Sequence, residues 1–325
     1  MCRATPHSEK SVPWLRAPRL SAMKSRDLSP FGPRNRIGVT CLNTLHDYQV
    51  AAFRRDGFLF PFAMLGKNEI QTCLAALGRF EERLGCPLPR ADRKWNTMAH
   101  AHLPWFNELV RDPRILDVIE DLIGPDILVW TSTFWIKEPG SPAFAAWHQD
   151  NAYFGLLPSE QVCAWLALSD ADGQSGCMEV LSWRGAPRLL HHAPNQYSDS
   201  INRGSQTVVE PFDASQPETM ALKAGSFSIH HGLCLHYSGP NWAAHRRIGL
   251  GFNYMPAHVR VDGPVRMAAM LVRGQDKWGH FDLIEPPVTE SDPDSLALHE
   301  DIYARYGANY REQIARHERE FTASE

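Results

Sequence analysis

The period of the apolar positions changes near residue 126, and the change divides the chain. Before it, His46 to Arg55 predicts a helix stopped by Asp56-Gly57. Lys67 to Leu84 predicts a second, with Ile70, Cys73, Leu74, Leu77 and Phe80 on one stripe. Arg114 to Ile123 predicts a third, closed by Gly124-Pro125, and Phe58-Leu59-Phe60 a short strand. After residue 126 the runs are short and rich in Val, Ile, Trp, Thr and Phe: Ile127 to Ile136, Gln161 to Leu168, Cys177 to Leu181, Ser226 to His230 and Ile248 to Tyr254. Turn clusters such as Pro139-Gly140-Ser141-Pro142 and Asp170 to Gly176 separate them. Many short strands with such punctuation point to a barrel or jelly roll rather than to βαβ units. Asp301 to Glu318 returns to a charged, amphipathic helix.

Length and charge place limits on this picture. The 325 residues fit a single domain over 41–325, with a helical part at 41–125, a β core at 126–260 and a helical extension at 261–325. Residues 1–40 differ: eight Lys/Arg against Glu9 and Asp27 give a local +6, which leaves −10 elsewhere out of a net −4. Five prolines and no amphipathic period predict a disordered arm there, a targeting segment or an over-extended start with Met23 nearer the true beginning. The net charge gives no reason to expect nucleic acid or an anionic membrane as partner. No apolar run has the length of about 20 residues that a membrane span requires. The seven cysteines lack a CxxC pair and predict reduced thiols in a cytoplasmic protein, of unspecified oligomeric state.

The chemistry centres on Trp147-His148-Gln149-Asp150-Asn151-Ala152-Tyr153-Phe154. In extended chain, residues i and i+2 share a face, so His148 and Asp150 can offer an imidazole nitrogen and a carboxylate oxygen to one ion. That is two-thirds of a 2-His-1-carboxylate triad, which leaves positions open on Fe(II). Downstream, His230, His231 and His236 compete for the third place. His236 stands at a strand-to-turn boundary with Ser238 on the same face, and His231 is its main alternative. Arg247, on the following strand, can pair bidentately with a carboxylate beside the metal, and Arg246 alternates to the opposite face. Asn151, Tyr153 and Phe154 are candidate substrate contacts, against the plainer reading of a turn residue and packed barrel aromatics. His100, His102, His191, His192 and His245 show no paired logic and are expected at the surface or in hydrogen bonds.

With these residues in view, the sequence resembles the phytanoyl-CoA dioxygenase-like Fe(II)/2-oxoglutarate oxygenases. The resemblance rests on His148-Gln149-Asp150, on His236-Tyr237-Ser238 and on Arg247, eleven positions after His236. Phe53 to Phe58, Leu122 to Asp126 and Gly176 to Val180 extend it over roughly residues 45–260. It implies a mainly β fold with flanking helices: a double-stranded β-helix, the cupin-like jelly roll. It also implies Fe(II) on His148, Asp150 and His236, 2-oxoglutarate on Arg247 with Ser238, Thr133 and Trp165 as helpers, and O₂ as the oxidant source. The activity implied is hydroxylation of a small metabolite, such as an amino acid derivative, a phosphonate or a natural-product intermediate, with succinate and CO₂ released. Family members that halogenate have a small residue in place of Asp150. Leu181-Ser182-Trp183-Arg184-Gly185 departs from the family's usual Pro-Gly-Ser-His turn, so the substrate does not carry over from better-known members. No basic cluster stands near the site as a phosphate clamp, which favours a small metabolite over a CoA thioester. Rival readings keep the same residues for desaturation or epoxidation. Others make the chain a cupin-like hydrolase, isomerase or sensor, and these leave Arg247 and Ser238 without a task.

Overall fold

Local signals set the helices. Helix α1 (Asp47–Asp56) starts where the Gln49 side chain accepts the His46 N–H, and it ends on Gly57 at φ 88. Helix α2 (Lys67–Leu84) coincides with the predicted stripe and ends on Gly85, also left-handed. Helix α3 (Pro104–Val110) was not foreseen; α4 (Pro113–Ile123) is capped by Asp112, which accepts the Arg114 N–H. The last helix, α5 (Pro293–Thr322), is longer at both ends than the periodicity predicts. Proline stands at its first position, and Asp292 accepts the Ser295 N–H. This computed structural model describes residues 44–183, 186–194, 197–201, 206–290 and 292–322, and the arm expected over 1–40 lies outside them.

In chain order the strands are β1 (Phe58–Ala63), β2 (Ile127–Lys137), β3 (Ala145–His148), β4 (Leu156–Leu157) and β5 (Val162–Ala167). Next come β6 (Met178–Leu181), β7 (His192–Pro194), β8 (Gln206–Val208), β9 (Glu218–Met220) and β10 (Ser226–His231). The set ends with β11 (Leu235–Ser238), β12 (Arg247–Pro256), β13 (Arg260–Val261), β14 (Ala268–Arg273) and β15 (Asp282–Leu283). The main sheet runs β1-β10-β5-β12-β2-β14-β15, and a smaller one runs β3-β11-β6-β9. The chain crosses between them repeatedly, from β2 to β3, β5 to β6, β10 to β11 and back to β12, which is the double-stranded β-helix. One expectation needs correction. The main sheet is not confined to 126–260, because β1 lies at one edge and β14 pairs with β2 on the other side. Strand β1 contains the short strand expected at Phe58-Leu59-Phe60, though not its place in the main sheet, whereas β14 is six residues inside a stretch expected to be helical.

Alternation along the long central strands separates wall from interior. On β2 and β12, Phe134 and Phe252 face outward, where Phe106 of α3 meets both rings at 4.8 and 5.3 Å. Each such fully buried ring contributes about 1.5–3 kcal/mol. The opposite face of the same strands carries Thr131, Thr133 and Trp135, and Arg247, Gly249, Gly251 and Asn253. That inner face borders a cavity of about 770 Å³.

Candidate active site

Strand pairing brings the predicted metal ligands together. His236 on β11 is the direct register partner of His148 on β3. Asp150 follows on a single turn of helix, and one ligand atom from each of the three lies within 4.8 Å of the others. His148 Nε2 and His236 Nε2 stand 3.6 and 3.7 Å from the same oxygen, Asp150 Oδ1. Both rings are held by their other nitrogen: His148 Nδ1 donates to Ala146 O at 2.7 Å and His236 Nδ1 to Cys234 O at 3.0 Å. A carbonyl only accepts, so the proton is assigned to Nδ1 and the Nε2 lone pair faces the site. Burial, with the neighbouring His148 ring, pushes His236 well below the usual imidazole range. Burial raises the Asp150 carboxyl, but the surrounding His148, His230 and His236 rings prevail and hold it well below its usual value. Two imidazole nitrogens beside an ionised carboxylate are the donor set a divalent first-row metal takes.

Two residues outside the predicted triad fix its geometry. His230 Nε2 lies 3.3 Å from Asp150 Oδ2, so the second carboxylate oxygen has its own partner. His231, the alternative third ligand, faces the other side of β10, edge-on to the Trp183 ring at 5.2 Å. Gln149, between the ligands, is 3% exposed. Its side-chain N–H groups donate to Arg188 O and Leu233 O at 2.8 and 2.6 Å, and its oxygen accepts the Leu190 N–H at 2.7 Å. Its backbone N–H donates to His192 Nε2 at 3.0 Å, and His192 N–H donates to His317 of α5 at 2.9 Å. His100, His102 and His192 are buried; His100 and His192 meet the hydrogen-bonded half of the expectation, through Ser132 Oγ and through the Gln149 N–H.

The slot beside the triad belongs to Arg247. It is 2% exposed, with its guanidinium 5.4 Å from the Trp165 ring. It donates to Gly176 O and Ser238 Oγ at 2.8 and 2.9 Å, Nε has no partner, and among the described residues no carboxylate pairs with it. Burial lowers it to about 10. Gly249 leaves space here, and the Trp165 ring fills it: a Cβ at 249 would lie 1.9 Å from that ring. Thr133 and Trp165 both border the cavity and are register partners of Gly251. Ser238 acts on Arg247 itself, accepting from it and donating to Gly176 O at 2.9 Å. Arg246 turns away to Glu81 and Glu138. Sequence reasoning passed over Lys137, the register partner of Arg247. It is 1% exposed, with its amine within hydrogen-bond reach of Ser238 Oγ, Ser238 O and Gly239 O. Burial and the Arg247 charge push its amine down to about 6.

The three expected substrate contacts fare differently. Phe154 borders the cavity, edge-on to Trp130 at 4.6 Å and near Tyr306 at 6.2 Å. Asn151 is buried against Gly232, its side-chain atoms without hydrogen-bond partners, and it is not among the residues that border the cavity. The Tyr153 side chain lies outside the described residues.

The residues present fit the groups the fold implies: three convergent donors for a metal, and a buried cation lacking a carboxylate for a dicarboxylic co-substrate. Comparisons with known proteins bear on the same residues. A family model described as Phytanoyl-CoA dioxygenase (PhyH) matches residues 53–249. A probable alpha-ketoglutarate-dependent hypophosphite dioxygenase of Stutzerimonas stutzeri is 26% identical over 161 residues, 49% of this chain and 55% of that protein. The peroxisomal phytanoyl-CoA dioxygenase of Mus musculus is 28% identical over 134 residues, 40% of this chain and 39% of that one. The match thus spans about half, or less, of the length of these two relatives. Among solved structures, the apo form of ThoJ, a non-heme monooxygenase, superposes with a TM-score of 0.72 at 27% identity, covering 82% of this chain and 99% of that one. With the model matched across most of the barrel and the HxD, distal His and Arg in place, the chain belongs to the phytanoyl-CoA dioxygenase (PhyH) family.

Proposed function

We propose that the protein is an Fe(II)/2-oxoglutarate-dependent dioxygenase that hydroxylates an unactivated C–H of a small metabolite, releasing succinate and CO₂. The observation that carries this reading is the buried Arg247 guanidinium, without a carboxylate partner among the described residues, beside a convergent His148, Asp150 and His236. A hydrolase or isomerase needs the metal ligands and has no use for that cation. Iron, 2-oxoglutarate and O₂ together supply an oxidant able to abstract hydrogen from carbon.

The chain's own residues do the positioning. His148, Asp150 and His236 would hold the metal, with their ligand atoms converging beside the cavity. Arg247 would pair with the far carboxylate of 2-oxoglutarate, its guanidinium held over the Trp165 ring and against Ser238 Oγ. Thr133 and Trp165 line the slot between. Phe154 and Tyr303, Tyr306 and Tyr310 of α5 line the chamber and give it an aromatic wall. Asp150 fills the position a halogenase leaves open, so hydroxylation is the reaction expected.

The test is succinate formation from 2-oxoglutarate with added Fe(II) in wild type, His236→Ala and His231→Ala. Turnover should be lost in His236→Ala and retained in His231→Ala. The reverse pattern would remove His236 from the ligand set. Succinate production that ignored Fe(II), or none at all, would refute the oxygenase assignment.

A further inference from the structure

We propose that the cavity holds a second built subsite, formed by Thr131, Asn253 and Tyr306, for a neutral hydrogen-bonding head of the substrate: a carboxamide, lactam or hydroxyl rather than a carboxylate, phosphonate or ammonium group. This rests on the oxygenase reading of the same cavity and narrows its substrate class.

Position comes from the strand register. His230, Cys163, Asn253 and Thr131 are successive partners across β10, β5, β12 and β2, one rung on the inner face of the sheet. The rung starts at His230, which touches Asp150. Arg247 is six residues from Asn253 along β12, about 20 Å of extended strand, so the rung and the co-substrate anchor stand at opposite ends of the chamber. A substrate carbon presented to the metal from this end does not compete with a dicarboxylate held by Arg247.

Chemistry comes from hydrogen-bond capacity left over. Thr131 is 2% exposed and borders the cavity, and its Oγ1 has no partner. The orientation of Asn253 follows by elimination. The Trp130 indole N–H can only donate and does so to Gln161 Oε1 at 2.8 Å. Gln161 Nε2 therefore donates to Asn253 Oδ1 at 3.4 Å, which leaves Asn253 Nδ2 as a free donor among the described residues. Tyr306 reaches the cavity from α5, its ring near Phe154 and Trp130, both at 6.2 Å, and its hydroxyl bonds to none of the described residues. Burial raises that phenol to about 12, so it stays a donor at neutral pH. Two hydroxyls and an amide N–H, all uncharged, call for a head that can both accept and donate.

The charges near this end are already committed or face solvent. Asp150 touches His230 at the head of the rung but belongs to the ligand set, Glu138 is paired with Arg246, and Arg93, Asp199 and Arg311 are exposed at the mouth, from which Arg93 acts on the Tyr306 phenol. Arg247 belongs to the other end. An anionic head at Thr131 and Asn253 would be desolvated beside the Asp150 carboxylate, and a cationic one would have to share Asp150 with the metal the triad would hold. The Phe154 and Tyr306 rings suit an apolar or aromatic body behind the head.

The experiment uses the full chain loaded anaerobically with Mn(II) and 2-oxoglutarate. Titrations compare 3-phenylpropanamide, 3-phenylpropanoate and 3-phenylpropylamine, one body with three heads, by ligand-observed NMR. The amide should bind at least tenfold more tightly than the other two, with Mn(II) broadening strongest at its amide end. Thr131→Val with Asn253→Leu should reduce that preference below threefold and leave 2-oxoglutarate affinity unchanged. Each substitution alone should reduce it in part, which covers a double variant that fails to fold. Equal binding of the three heads, preference for a charged one, or no measurable binding would overturn the subsite. Failure of the parent protein to bind 2-oxoglutarate would instead overturn the oxygenase reading beneath it.

Discussion

Lys137 offers a test of the buried cation pair that needs no substrate. The perturbation is Lys137→Met, which keeps an unbranched chain of similar length and removes the titrating amine. In the folded protein the amine is held at about 6, against 10.5 for an ordinary lysine. Between those values the unfolded chain carries a proton that the folded chain does not, so stability rises with pH through that window. The penalty is complete below pH 6 and disappears above the unfolded value. Its slope is about 1.4 kcal/mol per pH unit, so wild type should gain about 3 kcal/mol relative to the variant between pH 7 and pH 9. For a chain of this size that corresponds to roughly 5 °C in Tm. The variant leaves Ser238 O, Ser238 Oγ and Gly239 O without the Lys137 donor, but that loss is constant over the range and drops out of the comparison. The assay is thermal unfolding of both proteins at pH 7 and 9, without metal or 2-oxoglutarate. The buried histidines titrate in both proteins and cancel. Parallel pH profiles would show that Lys137 is protonated in the fold, and the account of a paired, carboxylate-free cation site would fail. Burial is the larger cause of the depressed Lys137 amine and Arg247 the second, so a dicarboxylate on Arg247, added with Mn(II), should flatten the wild-type profile only in part.

Three further substitutions probe the rest of the site. Arg247→Gln should weaken 2-oxoglutarate binding about 100-fold, the cost of roughly 3 kcal/mol for losing one side of a buried charge pair; calorimetry on the Mn(II) form checks it, and unchanged affinity would refute the anchor. Gln149→Leu removes three buried hydrogen bonds around the ligand turn. Its Co(II) affinity should fall about 10- to 100-fold in a protein whose circular dichroism is intact, and wild-type affinity would show that the turn holds itself. Gly249→Ala sets a Cβ 1.9 Å from the Trp165 ring. It should lower stability by about 1–3 kcal/mol and weaken 2-oxoglutarate binding more than metal binding; equal losses of both would mean that Trp165 does not support Arg247.

How much of this was legible depended on whether a residue's role shows in its neighbours along the chain. His148, Asp150, His236 and Arg247 were readable because strand alternation converts sequence spacing into a shared face. His230 and His231 were not separable that way: they are adjacent on β10, and only the partner strands decide which one meets Asp150. Lys137 looked like the polar end of a strand, and nothing in its own segment announced that Arg247 would be its partner. Gln149 stood in view between two ligands, yet its partners, Arg188, Leu190 and Leu233, are about 40 to 84 residues away in sequence. Strand β14 was missed because six residues carry too little period to outweigh a helical neighbourhood.

Helix α5 shows the same limit most fully, and it has a consequence for specificity. Hydrophobic periodicity found only its middle, since much of what it buries is polar: His299, Asn309, Gln313 and His317 are each at most 7% exposed. These side chains bond to elements spread around the barrel. His299 donates to Thr97 O, Asn309 to Phe154 O and Gln313 to Asp262 O, and His317 accepts from His192, which itself accepts the Gln149 N–H. The helix that presents Tyr306 to the cavity is therefore tied through His192 to the turn carrying His148 and Asp150. Directional bonds set its register in a way an apolar stripe, which tolerates sliding, does not. The distance between the α5 wall and the metal is thus fixed by hydrogen-bond geometry, and substitutions at His192 or His317 should shift substrate position before they affect the Arg247 slot at the far end of β12.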